Sequence, residues 1–191
     1  MATVAAPYGA KPVGSVAGVY NGKLRQIRIT STYATSIFFG DFISMAGTGT
    51  VEKVSATNAG PIIGVFMGCN YTDPNSGQRV FRQYWPASIA SVDNYAYVAD
   101  DADMLFQIQS AATIAQADLG QNAPIIQTAG TTIVGVSKNA LDGANKNSTA
   151  TLPLKIIGFI NGPFSAPGDA KTDVLVMINT HQYRSTGVAG I

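Results

Sequence analysis

Turn signals recur along this chain at intervals of ~8–15 residues, too closely for a helical fold and at the spacing of short strands joined by tight connections. The glycines (20) and prolines (9) sit between brief apolar runs instead of within long periodic ones. The acidic residues agree. Of the eleven, Glu52 is the only glutamate, and the rest are aspartates, which favour turns and caps over helix interiors. Thr, Val and Ile are abundant in the remainder, which suits pleated, half-buried backbone.

Leu24, Ile27 and Ile29 alternate among Arg25, Gln26 and Arg28 as a half-exposed strand. Residues 37–43 form a second strand, bent or bulged at Gly40. The Gly47–Gly49 turn leads to a strand at 51–54, and the apolar run 62–69 reads as a strand buried on both faces. After the Asp73–Gly77 loop come strands at 79–85, 95–98 and 104–108, the last two flanking the acidic turn 99–103. Residues 110–120 predict the one short helix, with a Ser cap, several alanines and a terminal Gly. Strand signals resume at 124–127, 131–136, 151–160 and 173–179. Residues 1–22 carry no periodicity and read as an N-terminal arm. Residues 184–191 read as a C-terminal arm, and 23–183 as a single β domain between them. The expected fold is all-β, a jelly roll or related β-sandwich or barrel with one short helix and extended terminal arms.

Composition removes several classes. Apolar residues make up 46% of the 191, enough for a substantial core, whereas charged residues are only 12% and the net charge is +1. Disorder of the charged kind and a basic nucleic-acid footprint are both excluded, and Lys23, Arg25 and Arg28 read as a solvated strand face. The long uncharged stretch at residues 54–72 is interrupted by Pro61, Asn58, Asn70 and three glycines, so no membrane span is expected. The N-terminus lacks a basic region followed by an apolar core, so the expectation is a soluble chain made in the cytoplasm.

Catalytic and metal chemistry finds little equipment. His181 is the single histidine and simply ends the last strand, and the single Cys69 lies in an apolar run, the setting of a structural thiol. Gly135-Val-Ser137-Lys-Asn139 lacks the last glycine of a nucleophile elbow. One Cys and one His make no zinc site. Asp100, Asp101 and Asp103, with Asp118, are either oxygen ligands for calcium or an ordinary acidic turn, and they lack the spacing of a calcium-binding helix-loop-helix. Tyr71, Phe81, Tyr84, Trp85, Tyr95 and Tyr97 either pack the core or line a carbohydrate groove or oligomer interface. No catalytic residue, metal site or cofactor is expected.

Several segments, in this order, resemble a known family: GAKPV at 9–13, YNG at 20–22, STYATSIFFGD at 31–41, YWPA at 84–87, YVADDADMLFQIQ at 97–109, DLGQN at 118–122 and INTHQ at 178–182. Together they are similar to the capsid decoration, or cement, proteins of tailed bacteriophages, with Ala102 standing where proline would be expected. The resemblance implies a structural virion protein on the outer capsid surface, not an enzyme. It would bind the major capsid protein as a homo-dimer or homo-trimer, bridge neighbouring subunits and resist internal DNA pressure, without nucleic-acid or membrane partners. Contacts are expected from both arms, through Tyr8, Lys11, Pro12 and Asn21 at one end and His181, Tyr183 and Arg184 at the other. Low charge implies binding that is weakly sensitive to salt. A phage tail or fibre module and a carbohydrate-binding β-sandwich are the alternatives.

Overall fold

The strands Met104–Gln109 and Asp173–Ile178 alternate strictly between buried and half-buried positions, the signature of sheet backbone with one face on a core. They anchor the first of two large antiparallel sheets in the computed structural model, which describes residues 4–55, 57, 60–163, 165–184, 187, 189 and 190. In chain order the strands are β1 (Lys11–Ser15), β2 (Gly18–Val19), β3 (Arg25–Arg28), β4 (Phe42–Met45), β5 (Val51–Lys53), β6 (Gly64–Thr72) and β7 (Arg79–Arg82). They continue as β8 (Tyr95–Ala99), β9 (Met104–Gln109), β10 (Asn122–Ala123), β11 (Ile125–Ile126), β12 (Ala140–Leu141), β13 (Leu154–Phe159) and β14 (Asp173–Ile178). The first sheet runs β10-β13-β14-β9-β1-β2 and the second runs β3-β8-β6-β4-β5, with β11 and β12 forming a separate hairpin-like pair. The all-β expectation holds. Among the described residues no helix is long and apolar enough to cross a membrane.

The second sheet curls. A parallel bridge between Ile29 and Val51 brings its two outer strands together, so β3 to β5 form a small barrel. One edge of β6 is shared: β4 pairs with its start at Gly64 and Val65, and β7 takes over from Cys69 to Thr72. Gly68 at φ 122° marks the irregularity between these halves, where β6 also shifts register against β8. Adjacent residues of these strands serve two cores. Phe42, Val65 and Ala99 point toward Phe106, Ile108, Val174, Val176, Leu154 and Ile156 of the first sheet. Ile43, Phe66 and Val98 point the other way, into the barrel around Trp85, Ile37 and Ile63. The run 62–69 is therefore buried on both faces, as its continuous apolar sequence implies.

Four expectations need correction. Residues 1–22 are not a free arm. β1 pairs with β9 from Lys11↔Gln107 to Ser15↔Met104, and the register shift between Pro12 and Gly14 is what hides this strand from a periodicity reading. The described residues of 184–191 also lie against the body: Gly190 N–H donates to Ser148 O at 2.9 Å and Lys155 Nζ to Ala189 O at 2.9 Å. The helix over 110–120 shrinks to one 3-10 turn at Gln116–Asp118. There Ser110 Oγ is tied to the Ala112 backbone and the Asp118 carboxylate accepts the Ala115 N–H, local bonds that compete with helical ones in so short a segment. The strand expected at 131–136 is a turn, closed by Gly135 N–H to Thr131 O at 2.7 Å.

Phe106 is fully buried at the centre of the first core and stacks edge-on with Phe42 at 6.5 Å between ring centroids. Phe106→Ala is expected to destabilise the fold by ~3–5 kcal/mol in urea denaturation, whereas Val19→Ala, at 89% exposure, stays within ~0.5 kcal/mol.

Candidate functional site

The most elaborate polar constellation surrounds Asp41, which is wholly buried. The sequence places an aspartate inside the apolar run Phe38-Phe39-Gly40-Asp41-Phe42, and a buried carboxylate must be answered by donors. Its Oδ2 accepts the Phe38 N–H at 2.9 Å and pairs with Lys53 Nζ at 2.9 Å. Its Oδ1 accepts Ser137 Oγ–H at 2.6 Å and Asn139 Nδ2–H at 3.1 Å. Ser137 also accepts the Asn139 N–H at 3.1 Å, and Asn139 Oδ1 accepts the Thr128 N–H at 2.9 Å. The backbone closes round the same point: Gly9 N–H donates to Asn139 O and Ala10 N–H to Gly40 O. Gly9 sits at φ 75° with a Cβ position only 2.6 Å from Gly40 O, so glycine is required there. Four chain segments thus meet on one carboxylate. Sequence reading passed over this centre, and its one signal was the charged residue inside an apolar strand.

Of the expected contact residues, Tyr8 donates its hydroxyl to Asp173 Oδ1 at 3.0 Å, and burial with the adjacent carboxylate raises its pKa strongly. Lys11 lies with Nζ 4.2 Å from the Tyr8 ring centroid, so an exposed ammonium sits over a half-buried ring at the surface of the first sheet. Pro12 is half-buried in β1 opposite Phe106, and Asn21 is exposed, with its side chain accepting the Lys23 N–H at 3.1 Å.

His181, Tyr183 and Arg184 fasten the chain to itself. His181 is 1% exposed, forms a parallel bridge to Ile62 and accepts the Tyr183 N–H on Nδ1 at 3.1 Å. Arg184 pairs with Asp103 and Tyr183 donates to Asp100 Oδ2 at 3.2 Å. Arg25 Nε pairs with the same Asp100 oxygen at 2.7 Å while its guanidinium lies 5.2 Å from the Tyr183 ring. His181 is therefore withdrawn from any outer contact, whereas Tyr183 remains half-exposed over this clasp. The clasp answers Asp100 and Asp103 with cations, and among the described residues no group of three or more His, Cys, Asp or Glu is placed to hold a metal. The acidic turn reads as a structural element on this geometry.

The nucleophile candidates fare similarly. Burial pushes the Cys69 thiol up to about 12, and Sγ donates to Tyr84 O. Ser137 Oγ is engaged by Asp41 and by the Asn139 N–H, the arrangement of a structural hydroxyl. The aromatic run is divided: Trp85 and Tyr71 pack edge to face inside the barrel, 5.4 Å between centroids, while Phe81 is 68% exposed. A groove lined by that whole set is not formed.

What the surface displays is aliphatic. The turn 131–135 holds out Ile133, 93% exposed, and Val134, 59% exposed, on a loop pinned by the Phe39–Val136 bridge. Its Gly135 packs against Gln83 and Tyr84, two residues beyond the exposed Phe81 strand position. At the β1–β2 turn, Val16 and Val19 form a second apolar tip. No protein-family model, curated protein or solved structure matches the chain.

Burial and the Arg184 guanidinium hold His181 below its ordinary value of 6.5. Folding therefore favours the neutral ring, so this histidine's contribution to stability is complete above 6.5 and is lost as pH falls below it toward the folded value. Urea midpoints are expected to drop between pH 7.5 and pH 5 and to drop less in His181→Gln. An equal decline in both proteins would place the titration elsewhere.

Proposed function

We propose that this chain is a capsid decoration protein of a tailed phage, a structural clamp on the outer shell surface that stabilises joints between capsid subunits. The reading rests on the ordered sequence resemblance, and the observation that carries it in the structure is the display of large aliphatic side chains on rigid turns. Two adjacent β-branched residues at a turn tip, Ile133 and Val134, cost solvation unless they are covered, and scattered single exposures do not have this form. The body behind them is built to stay put. β1 and the described residues after Arg184 are bonded to the body, and five ion pairs among the described residues take up Arg25, Lys53, Arg79, Lys146 and Arg184. An interface led by apolar tips with few unanswered charges is weakly sensitive to salt.

The mechanism is mechanical. Each copy adds buried area across a subunit joint, so shell opening must break more contacts. In this reading the contacts fall to the aliphatic tips and the Tyr8–Lys11 pair, since His181 is buried and Arg184 is paired with Asp103. Deleting residues 1–15 is a poor test, because it removes β1 and exposes the edge of β9.

Quantitative mass spectrometry of purified particles is expected to give a copy number of the same order as that of the major capsid protein. The double variant Ile133→Ser, Val134→Ser is expected to unfold at the same temperature as the parent and to bind empty shells about tenfold or more weaker. A copy number in the range of tail components, or unchanged binding by the double variant, contradicts the proposal.

A further inference from the structure

The Asp41 centre holds more than a structural carboxylate requires. One carboxylate, wholly buried, carries a primary amine on one oxygen and a primary carboxamide on the other: Lys53 Nζ at 2.9 Å from Oδ2 and Asn139 Nδ2 at 3.1 Å from Oδ1. Amine, acid and amide are the complete set of reactants and catalyst for an amide exchange, and they are gathered on one buried carboxylate. The Lys53 side chain is 12% exposed and its Nζ lies 5.7 Å from the Phe38 ring centroid, while Asn139 is fully buried.

We propose that Lys53 and Asn139 become joined by an intramolecular isopeptide bond, with Asp41 carrying the proton. Asp41 Oδ2 takes a proton from the Lys53 ammonium. The freed amine lone pair attacks Cγ of Asn139, and the carbonyl electron pair moves onto Oδ1. That oxygen already accepts the Thr128 N–H at 2.9 Å, a fixed donor where negative charge develops. With Nζ and Nδ2 now bonded to the same carbon, the protonated Asp41 Oδ2 passes its proton to Nδ2, the Cγ–Nδ2 bond breaks as the carbonyl re-forms, and ammonia departs. The remaining extra proton on Nζ leaves through Asp41 with the ammonia as ammonium. One C–N bond forms and one breaks, Asp41 ends as the carboxylate it began, and no oxidant or second reactant is consumed. Holding the three groups together on one buried carboxylate supplies the proximity such a slow exchange lacks in solution.

Asp41 also accepts the Phe38 N–H and the Ser137 hydroxyl, so it stays oriented toward both reacting nitrogens throughout. The product would tie the end of β5 to the segment before β12, two parts of the chain far apart in sequence. This inference is independent of the capsid reading, and either can fail alone.

Intact-mass spectrometry of the full chain under denaturing conditions tests it, alongside Lys53→Arg, which keeps a cation opposite Asp41 but removes the amine. The parent is expected to weigh one ammonia less than its sequence, Lys53→Arg is expected to show the full mass, and digestion of the parent is expected to yield a branched peptide containing Lys53 and Asn139. A parent chain at full sequence mass overturns the proposal. So does an ammonia loss that persists in Lys53→Arg, which would mark cyclisation at an Asn-Gly site such as Asn21-Gly22 or Asn161-Gly162.

Discussion

A buried carboxylate is the point on which this fold turns. Asp41 cannot leave water without donors, and the chain brings them from the backbone of Phe38, from Lys53 on β5, and from Ser137 and Asn139 far downstream. Leaving Lys53 buried without its partner would cost ~3–5 kcal/mol by analogy with broken buried pairs. The network has a directional requirement that apolar packing lacks: it is satisfied only when the loop after Phe38, the strand β5 and the 137–139 segment are all in register. The N-terminal segment joins the same junction through Gly9 and Ala10, and so is drawn beside β9 as a strand of the first sheet.

The two cores then share β4, β6 and β8 of the second sheet, whose successive residues feed opposite sides. Phe42 and Ile43, or Val65 and Phe66, illustrate this alternation, and it couples the barrel to the first sheet without a separate interface. At the far end, the His181–Arg184 clasp holds the two sheets through Ile62 and through Arg25 to Asp100. The described residues near both chain ends are bonded to the body, and the turns at 131–135 and at Val16–Val19 are among the places where apolar surface reaches solvent.

Most of the strands were legible because their apolar residues alternate or run continuously between strong turn residues. β9 and β14 are the plainest cases, and the doubly buried run from Ile62 to Cys69 is nearly as clear. β1 was not legible, because Pro12 and Gly14 fall at a bulge and break the period that marks a strand. The segment from Thr131 to Val136 misled in the opposite way: its β-branched residues score as strand, but Gly135 at φ 77° turns the chain and exposes them. The polar centre was hidden for a different reason. Asp41, Lys53, Ser137 and Asn139 come from separate stretches, each bland alone, and only long-range pairing assembles them. The same holds for His181 and Arg184, whose end-of-strand positions suggested an open tail and whose partners, Ile62 and Asp103, lie far upstream.

The central claim is that the N-terminal segment and the Asp41 junction belong to the cooperative body instead of lying on its surface. Native-state hydrogen exchange resolves it residue by residue. The amides of Ala10 and Phe38 and the β1 residues bonded to β9 are expected to exchange only through the same global opening as β9 and β6. Exchange of residues 9–15 near the rate of an unprotected chain, with β9 and β6 still protected, would contradict the account.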